Sequence, residues 1–139
     1  MIVDASVGAK WLISEPDDDL AEDLLTRFDL AAPDLLKLEI AHLLGKLHRR
    51  GSVSARFSQD AWAELDEMPV RLQPTGELLG AAFDLSLRLG AAICDCVYLA
   101  MAEMTDDVLV TADGRFARSV RQAGSGPLAG RLRLLSELR

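Results

Sequence analysis

Four acids in this 139-residue sequence stand where an acid is out of keeping with its neighbours. Asp4 stops the apolar run MIV at the N-terminus. Glu39 comes three residues after Leu36 and four before Leu43, at the edge of a helical apolar face that also carries Ile40, Leu44 and Leu47. Asp95 sits in AICDCVYLAMAEM, hydrophobic on both sides, and Asp113 follows the strand-like DVLVTA. Each acid alone has a structural reading. The three Asp suit helix N-caps, although Ser6 competes with Asp4 for that place, and a Glu can reach past an apolar edge to water. Gathered together, they imply chemistry. Two carboxylates ~4 Å apart repel by about 4 kcal/mol at an effective dielectric near 20, so the set needs a cation. Oxygen-only ligands select a hard divalent ion, Mg²⁺ or Mn²⁺. Such an ion polarises a phosphoryl oxygen and activates a water for attack on a phosphodiester.

The elements that must position these acids alternate between strand and helix. Short strands are expected at 1–3, 29–33, 69–74, 107–112 and 131–135, the last an alternating edge strand. Helices are expected from Ser6 through VGAKWLIS, and at 18–28, 34–50 ending at Gly51, and 54–68 capped by Ser54. Further helices are expected from Thr75 to Gly90, at 92–104 capped near Asp95, and at 115–123, with a loop over 123–130. This alternation predicts an α/β fold with a short, mainly parallel central sheet. In such sheets ligands bind beyond the carboxyl ends of the strands, where Asp4 and Asp113 fall.

Length predicts one domain over residues 1–139, large enough to fold without disulfides or a structural metal. No apolar run approaches the ~18–20 residues of a membrane span, and MIVDAS lacks the form of a signal peptide, so a cytoplasmic setting is expected. Cys94 and Cys96 are too close for an unstrained disulfide and read as buried or half-buried free thiols; His42 and His48 diverge on one helix. The net charge of −7 opposes general coating of nucleic acid. Contact with a polyanion must then be local, through KLHRRG at 46–51 or Arg115, Arg118 and Arg121. The Leu residues of helices 18–28 and 34–50 are expected to form a partner surface.

VDASVGAKWL, LLKLEIAHLLGKLHRRG, DCVYLAMAE and VTADGRF together resemble the PIN domain, and more narrowly the VapC-like ribonuclease toxins of toxin–antitoxin modules. The likeness covers nearly the whole chain, with the four acidic motifs in the family's order. It implies a three-layer α/β/α sandwich and a Mg²⁺- or Mn²⁺-dependent endoribonuclease leaving a 5′-phosphate. It also implies a homodimer and inhibition by a cognate antitoxin. By residue match, Asp4, Glu39, Asp95 and Asp113 are the metal-binding, catalytic acids, supported by the hydroxyls of Ser6 and Thr111. Arg115 is the candidate for holding the scissile phosphate. Cysteines flank the third Asp where the family has an aromatic or small residue before it and a small one after. A further acid carried by some relatives is missing, since no Asp follows Asp113.

Two other acid-based chemistries need a late lysine: phospho-accepting receivers and haloacid-dehalogenase-type phosphatases. The lysines are Lys10, Lys37 and Lys46, which leaves none for that role. The remaining alternatives are a PIN nuclease of RNA processing and a non-catalytic PIN scaffold. Retention of all four acids weighs against the scaffold.

Overall fold

The computed structural model describes residues 1–123 and 126–139. Its frame is a five-stranded parallel sheet. The strands are β1 (Ile2–Val3), β2 (Leu30–Pro33), β3 (Val70–Gln73), β4 (Leu109–Thr111) and β5 (Leu132–Leu134), in the order β3-β2-β1-β4-β5. Helices α1 (Ala5–Gly8), α2 (Asp18–Arg27), α3 (Leu35–Arg49) and α4 (Ala55–Glu67) connect β1 to β3. Helices α5 (Leu79–Leu89) and α6 (Ile93–Met104) carry the chain across to β4, and α7 (Gly114–Gln122) and the one-turn α8 (Gly126–Ala129) lead to β5. Right-handed crossovers put the first set on one face and the second on the other, which gives three α/β/α layers. The chain reverses its direction of travel between β1 and β4. That switch point opens a crevice beyond the strand ends, with Asp4 directly after one strand and Asp113 two residues after the other.

The inner strands β1, β2 and β4 are fully buried, so they read as unbroken apolar runs. Helix α6 is buried continuously from Cys96 to Ala102 and packs on β1, β2 and β4, which explains its apolar residues on every side. Helix α1 lies against α3, and Gly8 makes the approach possible. A Cβ on Gly8 would stand 2.9 Å from Ile40 Cδ1 and 3.3 Å from Leu36 Cδ1. Trp11 ties this corner to α2 by donating its indole N–H to Ala21 O at 2.8 Å.

Several local expectations need correction. The first helix starts at Ala5, tightens into a 3₁₀ turn at Ala9–Trp11, and is capped by Asp4 instead of Ser6. The Asp4 carboxylate reaches the Ser6 and Val7 amides, whereas the Ser6 hydroxyl is drawn to Asp4. Thr75 opens only a 3₁₀ turn at Thr75–Glu77. Its hydroxyl donates to Asp34 Oδ1 and accepts from Leu35 N, so it closes the start of α3. Asp95 is not a cap; α6 begins after Ala92, and Asp95 sits in its first turn. Of the expected 123–130 loop, residues 126–129 form α8, and 124 and 125 lie outside the described residues. Cys94 is an exposed free thiol, while Cys96 is buried as expected. Among Leu residues of α2 and α3 only Leu38 is strongly exposed; the larger apolar row is Leu79, Phe83 and Leu87 on α5.

Candidate active site

Asp4 is the most enclosed of the four acids, 6% exposed. Its Oδ1 accepts from Ser6 N at 3.0 Å, Val7 N at 3.2 Å and the Ser6 hydroxyl, and its Oδ2 accepts from Thr111 Oγ1. Ser6 Oγ in turn accepts from Ala112 N at 2.8 Å, and Thr111 Oγ1 from Asp113 N at 3.1 Å. Ser6 and Thr111 therefore stitch the end of β1 to the end of β4 through one carboxylate. Burial pushes Asp4 up to about 6 despite these hydrogen bonds, and the Glu39 charge adds to the rise.

Asp95 is half-buried and has no hydrogen-bond partner among the described residues. It too is pushed up to about 6, first by burial and then by the charges of Asp113, Asp4 and Glu39. Asp95 therefore lies within the electrostatic reach of the other three acids. Glu39, half-buried on α3, accepts from Tyr98 Oη at 2.5 Å. Asp113 is exposed and caps α7, with Oδ1 accepting from Arg115 N at 2.9 Å and Phe116 N at 3.1 Å. Arg115 reaches Asp113 only through that amide, and its side chain points from an exposed helix position.

Tyr98 was missed by the sequence reading. It is buried, one helical turn after Asp95, so both project from the same side of α6. That spacing was the available signal. Burial, followed by the hydrogen bond to Glu39, raises the Tyr98 phenol far above its usual range, so it stays a donor at every working pH.

No Lys, Arg or His among the described residues pairs with any of the four acids. An all-oxygen, uncompensated carboxylate set fits a hard divalent cation in charge and donor type. Among the described residues, no three His, Cys, Asp or Glu side chains are arranged to hold an ion by themselves.

A parallel α/β domain whose switch point gathers acids in this way belongs to a definable class. Residues 1–121 match the PIN domain family, and the chain belongs to it. It is 31% identical over 120 residues to Ribonuclease VapC3 of Pyrobaculum aerophilum, covering 84% of this chain and 92% of that protein. The crystal structure of PAE2754 from the same organism superposes with a TM-score of 0.66 at 20% identity, over 99% of this chain and 90% of that one. A toxin–antitoxin complex from Klebsiella pneumoniae gives a TM-score of 0.56 at 14% identity, over 81% and 85% of the two chains. These structural likenesses concern the fold, and they agree with the three-layer arrangement that the family resemblance implied.

Proposed function

We propose that this chain, as a single domain over residues 1–139, is a metal-dependent endoribonuclease and the toxin of a toxin–antitoxin module. The observation that carries the reading is the uncompensated cluster of Asp4, Glu39, Asp95 and Asp113 at the switch point of a PIN domain. The name of the VapC3 relative directs the chemistry to RNA, and the toxin–antitoxin neighbour suggests a cognate antitoxin. Mg²⁺ or Mn²⁺ is the fitting ion, and Asp4, Glu39, Asp95 and Asp113 are the residues that would hold it. A homodimer and a cytoplasmic setting complete the reading. No single helix among the described residues is long and apolar enough to cross a membrane.

When bound, the ion polarises a phosphoryl oxygen and acidifies water. The protein's own groups supply position. Ser6 and Thr111 fix the Asp4 carboxylate from both oxygens, so it cannot swing away as charge develops. Tyr98 occupies Oε1 of Glu39 and leaves Oε2 for the site. The start of α7 holds Oδ1 of Asp113, leaving Oδ2 for the site. Arg115, two residues on, extends toward the substrate phosphate in this reading. RNA cleavage by the purified chain with Mg²⁺ or Mn²⁺ tests it: EDTA or Asp4→Asn should abolish product, and undiminished cleavage in either would overturn it. Growth arrest on expression alone, relieved by the product of the adjacent gene, tests the toxin role. An RNA-processing nuclease would cleave without arresting growth.

A further inference from the structure

Beside the acid cluster lies a second feature, which the four acids do not explain. A cleft of about 370 Å³ is lined by Ser6, Glu39 and Ala112 on the side shared with the cluster, and by Lys10 and Glu15 beyond. Lys10 follows Ser6 by four residues, one helical turn, so both face the same side of the N-terminal helical segment. Its side chain is only 10% exposed, and a lysine so enclosed is rare unless paired. Two donors are used: Lys10 Nζ donates to Pro16 O at 2.7 Å and to Glu15 Oε2 at 3.3 Å. An ammonium carries three N–H groups, and the third has no partner among the described residues. Among the described residues, Lys10 is also the one basic residue lining this cleft.

We propose that Lys10 holds a backbone phosphate of the RNA strand next to the one presented to the acids, which makes the cleft a substrate subsite. This rests on the ribonuclease reading. A chain of net charge −7 meets a polyanion only where a local cation offsets its acids. The wall shared with the cluster carries Glu39, so an RNA backbone passing over it needs a positive anchor within the same cleft. Lys10 is already fixed by two contacts, so little side-chain freedom is lost when its third donor engages. A phosphate contact positions the strand and reads no base, so the subsite sets register and affinity for any sequence.

The test is steady-state cleavage of a short single-stranded RNA by the full chain with Mn²⁺, over a range of salt. Lys10→Met should raise KM roughly tenfold and leave kcat within about twofold. It should also reduce the slope of log(1/KM) against log[salt] by about 0.7, the loss of one single-strand phosphate contact. Lys10→Arg should restore most of the slope. Glu15→Gln separates this role from a structural strap, because it breaks the pair but keeps the cation; KM should hold or fall. An unchanged KM and slope in Lys10→Met would overturn the subsite, as would Glu15→Gln reproducing the Lys10→Met defect. Loss of antitoxin binding with intact RNA kinetics would assign Lys10 to the protein partner and overturn it too. If the unmodified chain cleaves no RNA, the ribonuclease reading falls and the subsite with it. Normal cleavage with an indifferent Lys10→Met sinks the subsite alone.

Discussion

Thr111 donates its hydroxyl hydrogen to Asp4 Oδ2 across 107 positions of sequence, while Ser6 donates to the other oxygen of the same carboxylate. With both hydrogens directed at ionised Asp4, the 3.3 Å approach of Ser6 Oγ to Thr111 Oγ1 adds no third bond. One carboxylate therefore fixes how the first strand meets the fourth. The same bond sets the direction in which Asp4 faces the other acids.

Thr111→Val keeps the shape of the side chain and leaves Asp4 Oδ2 without its donor. A buried acceptor stranded in this way costs about 1–3 kcal/mol. Urea denaturation should report that loss, and RNA cleavage should fall with it. Ser6→Ala should cost less, because the Ser6 and Val7 amides still serve Oδ1. Equal losses from both variants would show that the two Asp4 oxygens do not differ in their dependence on a hydroxyl donor.

The two raised acids give the metal-free chain an unusual dependence on pH. Asp4 and Asp95 move from an ordinary 3.8 to about 6, so the folded chain binds more protons than the unfolded one between these values. Their stabilising contribution is therefore full below about pH 4 and is lost as pH rises through about 6. A cation that engages the ionised acids reverses that loss. The Tm increase produced by millimolar Mn²⁺ should be near zero at acid pH and reach several degrees above neutrality. Calorimetric scans with and without metal across this range check the sign, and a metal effect that grew toward acid pH would contradict it.

Much of this site was legible because its acids interrupt apolar patterns. Asp4 and Asp113 end buried strands, Glu39 sits at the margin of a helical face, and Asp95 falls inside an otherwise apolar helix. Hydrophobic periodicity places such interruptions well. The parallel character of the sheet also followed from the alternation of elements, since parallel strands need helical crossovers; the strand order did not. Local capping was less legible. Ser6 and Asp4 are both good caps, and the choice between them depends on Thr111 and Ala112, more than 100 residues away. Thr75 shows the same limit, because its partner is Asp34 on another element. Tyr98 was hidden for a different reason: a buried aromatic within an apolar helix looks like core, and only its distant partner Glu39 reveals its polar end.

Tyr98→Phe isolates that polar end. The ring still fills the core, so stability should change by no more than about 1 kcal/mol. Glu39 loses the hydrogen bond that orients it, and such supporting contacts commonly affect metal affinity or activity by about 10- to 100-fold. Mn²⁺ titration of RNA cleavage should show a higher metal requirement in the variant. An unaltered requirement would mean that Glu39 takes no direction from Tyr98.

Gly8 tests whether the spacing between α1 and α3 matters to the site as well as to the core. A methyl group there meets Ile40 and Leu36, both buried, so one of them must shift. Gly8→Ala should therefore cost about 1–3 kcal/mol. It also moves the helix bearing Ser6 relative to the helix bearing Glu39, so activity per folded molecule should fall too. Cleavage rates normalised to the folded fraction separate the two effects.

Asp95→Asn sets stability against function at a single atom. Asp95 is held in its ionised form against burial and three neighbouring charges, with no hydrogen bond to offset them. Neutralising it relieves repulsion on Asp4, Glu39 and Asp113 together. Because Asp95 is partly open to water, the gain is screened and should be modest, up to about 1 kcal/mol at neutral pH without metal. The same change removes a proposed ligand, so metal-dependent stabilisation should shrink and RNA cleavage should drop by about 100-fold. A variant both more stable and less active shows that the acid is kept for the ion. A variant less stable than its parent at neutral pH would instead assign Asp95 to the fold.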